Sequence, residues 1–170
     1  VLFTYFNPVD RFGIEAFAKE AWEAGVAGAI VPDAPLEEID TLKEALAERG
    51  LELPLLVAPT TPPERAARIA ASATGFVYVV SRLGVTGARD APNLEPLRAQ
   101  LEMLRSLTNK PLAVGFGISR PEDVRAIAPL CDGIIIGSAL IDAYSGSNGR
   151  EAAQRVERRA RELIAVAPRR

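Results

Sequence analysis

The sequence predicts an α/β fold: a (β/α)8 TIM barrel, present as an incomplete set of about six β/α units that would be strands three to eight. Three observations carry this expectation. Short β-branched runs alternate with longer amphipathic segments six times along the chain. Each run is apolar without polar alternation, as expected of strands covered on both faces of a parallel sheet. Glycines cluster late, with Gly84 and Gly87 after the fourth run, Gly115 and Gly117 in the fifth and Gly137 in the sixth. A doubly wound open sheet is the rival arrangement, but it usually carries a Gly-rich nucleotide turn after an early strand, and none stands here. Late glycines instead match the phosphate corner of (β/α)8 barrels, built from the loops after the last strands and a short helix N-terminus. A complete barrel takes about 250 residues. The 170 residues here make one domain, 1–170, the C-terminal three-quarters of such a barrel.

The strand candidates are Val1–Phe6, Gly28–Pro32, Leu53–Pro59, Gly75–Ser81, Pro111–Gly117 and Gly133–Ala139. Between them the apolar residues recur at helical spacing. Ile14, Phe17, Ala18, Ala21 and Trp22 form one face, Leu94, Leu97, Leu101 and Leu104 another, and Val156, Ala160, Leu163 and Ile164 a third. Thr61-Pro-Pro-Glu64 and Ser119-Arg-Pro-Glu122 read as capping boxes that start helices after the third and fifth strands. Gly25 and Gly50 stand where helix ends call for a left-handed residue. With two units short of a closed barrel, Val1–Phe6 and Gly133–Ala139 are expected to be unpaired edges.

Composition narrows the chemistry. The chain has no histidine, which excludes Ser-His-Asp triads, Cys-His pairs and His-ligated metals within it. A formal net charge of −2 argues against a broadly basic nucleic-acid surface. The single cysteine, Cys131, allows no internal disulfide and no zinc site of its own, fits a reducing compartment, and is expected to be a small buried hydrophobe. A Schiff-base enzyme would need one of Lys19, Lys43 or Lys110 in a pocket, yet the first two fall mid-helix and the third precedes a strand. The chain opens at Val1 inside an apolar run without a basic n-region, which reads as a cut edge rather than a secretory signal. No apolar run reaches the ~18 residues of a membrane-spanning helix.

Six stretches then become recognisable: Phe-Thr-Tyr-Phe-Asn-Pro (3–8), Gly-Ala-Ile-Val-Pro-Asp-Ala-Pro (28–35), Ala-Pro-Thr-Thr-Pro (58–62), Phe-Val-Tyr-Val-Val-Ser-Arg-Leu-Gly-Val-Thr-Gly (76–87), Val-Gly-Phe-Gly-Ile-Ser (114–119) and Ile-Gly-Ser-Ala (136–139). Together they resemble the tryptophan synthase alpha chain family over the whole length. The resemblance implies cleavage of indole-3-glycerol phosphate to indole and glyceraldehyde 3-phosphate by two carboxylates. It implies no metal or bound cofactor, the pyridoxal phosphate belonging to a beta subunit partner in a heterotetramer. It also implies a cytoplasmic enzyme that meets neither nucleic acid nor membrane.

By resemblance, Gly87, Gly117, Gly137 and Ser138 hold the substrate phosphate through backbone amides, and Phe116 walls the pocket. Tyr78 contacts the indole glycerol moiety, and Phe3 and Ile30 line the indole pocket. Ser81–Asp90 corresponds to a loop that closes over substrate, and Thr86 to the residue that orients the catalytic aspartate. Tyr5, Asn7, Asp33 and Pro35 correspond to the interface with the beta subunit. Each has a plainer reading: strand-end glycines make tight turns, inward aromatics fill a core, Ser81–Asp90 can be an ordinary polar loop, and Asp33 can cap a helix. The family's catalytic glutamate sits in a Leu-Glu-x-Gly-type segment and its aspartate in a Ser-Asp-Pro-x-Ala-Asp loop. Neither motif occurs in these residues. No catalytic carboxylate is therefore assigned, and both are expected in the units short of a full barrel. Glu52 precedes a strand and should lie at the wrong end of the barrel. The alternatives left open are another phosphate-binding barrel enzyme, or a non-catalytic fragment that binds phosphate and a beta-type partner.

Overall fold

The computed structural model describes residues 1–81 and 94–167. The chain divides into two compact units, one of Val1–Val57, Thr61–Tyr78 and Leu107–Lys110, the other of Ala58–Thr60, Val79–Ser106 and Pro111–Arg170. All six expected strands are present, each shorter than its apolar run, and the order is that of repeated β/α units. Among the described residues no helix is long and apolar enough to cross a membrane.

The first unit holds β1 (Leu2–Phe3), α1 (Phe6–Phe12), α2 (Ile14–Glu23), β2 (Ala29–Ile30), α3 (Asp40–Ala47), β3 (Leu55–Val57), α4 (Pro63–Ser72) and the start of β4 (Val77–Val80). β1 and β2 are parallel, with Leu2 opposite Ala29 and Phe3 opposite Ile30. A parallel bridge joins Gly28 to Glu52, just ahead of β3. Val1–Phe6 does not run as a strand to its end, because the Asp33 carboxylate accepts the Phe6 N–H at 2.8 Å and turns the chain into α1. Helices α2 and α3 both close as the sequence requires. Gly25 and Gly50 have φ of 74° and 67°. The next residues, Val26 and Leu51, donate back to the Ala21 and Leu46 carbonyls at 2.9 Å, the six-to-one bond of a Schellman end. Leu42, Leu46, Leu53 and Val57 fill the core of this unit, each at most 1% exposed. Trp22 does not join it. It is 58% exposed on α2, whose buried residues are the small Ala18 and Ala21. Small residues on the inner face bring a helix close to its neighbour, and a bulky ring one position beyond them is left outside.

The second unit holds the end of β4, nearly all of α5 (Glu95–Leu107), then β5 (Leu112–Gly115), α6 (Pro121–Ile127), β6 (Gly133–Ile135), α7 (Ser138–Tyr144) and α8 (Gly149–Ile164). β5 and β6 are parallel, with Ala113, Val114 and Gly115 opposite Gly133, Ile134 and Ile135. Leu97, Leu101 and Leu104 are the buried stripe of α5, as their spacing predicts. On α8 only Leu163 is buried, and Ile164 is 70% exposed. Leu112, Val114, Ile127 and Cys131 complete the core, and Cys131 is 3% exposed, the small buried hydrophobe expected of it. Among the described residues β1 and β6 each end a sheet, as the sequence anticipates, and so do β2 and β3, which it does not.

The two capping boxes do not form as spaced. α4 begins at Pro63 with Pro62 at its N-cap, one residue past Thr61. Proline fixes φ near −65° and lacks an N–H, so it suits the first helical position, which outweighs a threonine cap. At α6 the proline, Pro121, again takes the first position, so the N-cap is Arg120 and the third residue is Asp123 rather than Glu122. Asp123 accepts the Arg120 N–H at 3.0 Å and is held by the Arg120 guanidinium at 3.0 Å.

Candidate functional site

The glycines after β5 and β6 follow two paired parallel strands. Gly115 is opposite Ile135, so Gly117 and Gly137 each stand two residues beyond that last pair. Phe116 and Gly117 both have φ of 78°. For glycine this is ordinary, whereas a phenylalanine held there costs about 1–3 kcal/mol. The Phe116 ring is 69% exposed, so it is not held by burial in a core. Gly137 is the N-cap of α7 and Ser138 its first residue, and both are exposed. Among the described residues a Cβ added at Gly137 would meet nothing within 4 Å.

The strained turn is fastened from behind by Ser81, which the sequence places only at the end of a strand run and the start of a loop. Ser81, at the end of β4, is 1% exposed. Its N–H donates to the Gly115 carbonyl at 2.8 Å. Its hydroxyl lies 2.7 Å from the Phe116 carbonyl and 3.0 Å from that of Gly115. Further on, Asp123 accepts the Ser119 N–H at 3.4 Å, and Arg159 of α8 donates to the Ser119 carbonyl at 2.6 Å. Burial alone would raise the Asp123 carboxyl, but the Arg120 guanidinium and the Arg120 and Ser119 N–H groups outweigh it and hold the carboxyl below the usual aspartate range. The path from Phe116 to α6 is thus pinned at both ends.

In the first unit, Phe3 and Ile30 are a registered pair across β1 and β2; Ile30 is buried and Phe3 is 57% exposed. Tyr78 is 6% exposed, and burial pushes its phenol above the ordinary tyrosine value. Tyr5 and Asn7 follow β1, and Asp33 and Pro35 follow β2; the Asp33 to Phe6 bond joins the two segments, and all four residues are exposed. Asp33 does cap a helix, but α1 rather than the segment after Pro35. Thr86 and Gly87, with the rest of 82–90, lie outside the described residues.

Glu52 belongs to the other end. It bridges Gly28 ahead of β2, and its side chain lies against Gly75 ahead of β4. The lysines are engaged elsewhere too. Lys19 and Lys43 sit within α2 and α3, and Lys110 donates to the last carbonyls of α4, Ala70 at 2.7 Å and Ala71 at 3.0 Å.

Against known proteins, the model of the tryptophan synthase alpha chain family matches residues 1–167. The alpha chain of Synechocystis sp. is 48% identical over 164 residues, 96% of this chain and 62% of that protein. The Arabidopsis thaliana alpha chain is 45% identical over 151 residues, 88% of this chain and 54% of the plant protein. Among solved structures, a chain of the Pyrococcus furiosus tryptophan synthase α2β2 complex superposes with a TM-score of 0.85 at 36% identity, covering 96% of this chain and 66% of that one. One from the aminoacrylate-bound Mycobacterium tuberculosis enzyme superposes with a TM-score of 0.84 at 31% identity, covering 99% and 61%. The chain spans between half and two-thirds of the length of these relatives.

Proposed function

The chain belongs to the tryptophan synthase alpha chain family, and from that premise we propose that it supplies the substrate-phosphate site of an indole-3-glycerol-phosphate lyase acting in tryptophan biosynthesis. The observation that carries the reading is the pair of turns after β5 and β6. Gly117 and Gly137 each follow one of two paired strands by two residues, and together with Ser138 they offer backbone N–H groups, the two glycines with no side chain in the way. Such amides, beside a helix N-terminus, suit a phosphate monoester. By family resemblance, Thr86, Gly87, Phe116, Tyr78, Phe3 and Ile30 are further substrate contacts in this proposal.

Acid and base catalysis are assigned to two carboxylates outside these 170 residues. Glu52 is at the wrong strand ends, and Asp33 is committed to the Phe6 N–H. The lyase step uses no metal or bound cofactor in this reading. Tyr5, Asn7, Asp33 and Pro35 form the contact with a beta subunit of a cytoplasmic heterotetramer, and that subunit carries the pyridoxal phosphate.

The test extends the chain to family length with the N-terminal part of the Synechocystis relative and measures indole-3-glycerol phosphate binding. Gly137→Leu is the informative variant, because among the described residues an added Cβ there meets no atom within 4 Å and loss of binding reports occupied ligand space. At least a tenfold rise in Kd is expected, and the same for Gly117→Val. Unchanged affinity in Gly137→Leu refutes the site.

A further inference from the structure

Ser81 carries no role in the site as described, yet it is the buried polar side chain in contact with the strained turn. We infer that Ser81 is the positioning residue that aims the Gly117 amide at the phosphate, an inference that rests on the phosphate reading above. In a trans peptide the carbonyl and the N–H of one plane point in opposite directions. The Phe116 carbonyl shares its plane with the Gly117 N–H. The Ser81 hydroxyl, with one proton to give, donates it to the closer acceptor, the Phe116 oxygen at 2.7 Å. The Ser81 N–H, at 2.8 Å, serves the Gly115 carbonyl. Two donors on one residue therefore hold two successive carbonyls inward, and the Gly117 N–H is turned outward.

The same clamp accounts for Phe116. Its φ of 78° is a conformation that bulky residues avoid unless their surroundings impose it, and its ring, mostly exposed, imposes nothing. The hydroxyl of Ser81, a residue 1% exposed, spends its proton on that very plane and supplies the constraint. Ser81 touches neither substrate nor reacting atoms in this account. It acts through the amide.

The experiment follows the Gly117 amide by 1H–15N NMR while glycerol 3-phosphate is titrated into the 170-residue chain. In the parent chain the Gly117 and Ser138 amides should shift saturably. In Ser81→Ala, which loses the hydroxyl, the ligand should bind roughly 5- to 10-fold more weakly, with the Gly117 shift reduced more than that of Ser138. Ser81→Thr restores the hydroxyl and should return Kd to within about twofold of the parent, a rescue that a merely space-filling role does not predict. Should Ser81→Ala fail to fold, Ser81→Cys keeps the volume with a poor donor and is expected to weaken binding likewise. Wild-type Kd in the Ala or Cys variant, with lower stability alone, overturns the role of Ser81 and leaves the phosphate site standing. No saturable shift at Gly117 or Ser138 in the parent chain overturns the phosphate reading itself, and this inference with it.

Discussion

Asp123 should be the acidic residue whose loss costs the chain most. Its side chain is 6% exposed, whereas Arg120, its ion-pair partner, is 55% exposed, so the pair itself adds little. The larger part comes from accepting the Arg120 N–H at 3.0 Å at the start of α6, with a longer and weaker contact from Ser119 at 3.4 Å. Loss of such a helix-start acceptor costs about 0.5–2 kcal/mol. Because the site is buried, Asp123→Ala should fall in the upper half of that range, about 1.5 kcal/mol, or roughly 3–6 °C in Tm for a chain of this size. Asp123→Asn keeps an acceptor oxygen and should lose about half as much. The charge difference also carries a pH signature. The folded carboxyl titrates below the ordinary aspartate value, so its contribution is whole above that value, about 3.9, and is lost as pH falls through the folded one. Thermal unfolding followed by circular dichroism should thus show a constant gap between the parent and Asp123→Asn from neutral pH to about pH 5, closing below about pH 4. A Tm change under about 1 °C for Asp123→Ala, or a gap that widens in acid, refutes this reasoning.

Two further outcomes follow from packing. Leu104→Ala removes a side chain with no exposed surface and should cost about 2–5 kcal/mol by urea denaturation, against under about 0.5 kcal/mol for the exposed Glu102→Ala on the same helix. Gly28→Ala would place a Cβ 2.3 Å from the Glu52 carbonyl oxygen; forcing the β2 and β3 sides of the bridge apart should cost about 1–3 kcal/mol by the same assay.

What the sequence made legible follows the strength of each local signal. Apolar runs located every strand, but their ends were set by tertiary hydrogen bonds invisible in sequence. The Asp33 carboxylate, 27 residues away, turns the chain at Phe6, and Gly137 opens α7 where the run had promised more strand. The helix-ending glycines were read correctly because a positive φ is a local demand. The capping boxes were misplaced by one residue because Pro62, Pro63 and Pro121 compete for the same positions on steric grounds that the box pattern ignores. Trp22 was expected inside because its spacing fits an apolar stripe, but spacing does not say how wide a face the neighbouring helix covers. At the candidate site the glycines were legible and Ser81 was not. A serine between strand and loop has no pattern of its own, and its meaning lies in two carbonyls 34 and 35 residues further along.

In the proposed function these residues hold the phosphate while the proton-transferring carboxylates lie elsewhere. Indole release from indole-3-glycerol phosphate tests it most directly, measured for residues 1–170 alone and for the chain extended to family length. A positioned acid or base typically contributes about 10²–10⁴-fold. The account predicts no indole above background from the 170 residues alone and turnover from the extended chain. Comparable rates from the two would contradict it and place the chemistry on a carboxylate within this chain, with Asp33 and Glu52 the first to replace.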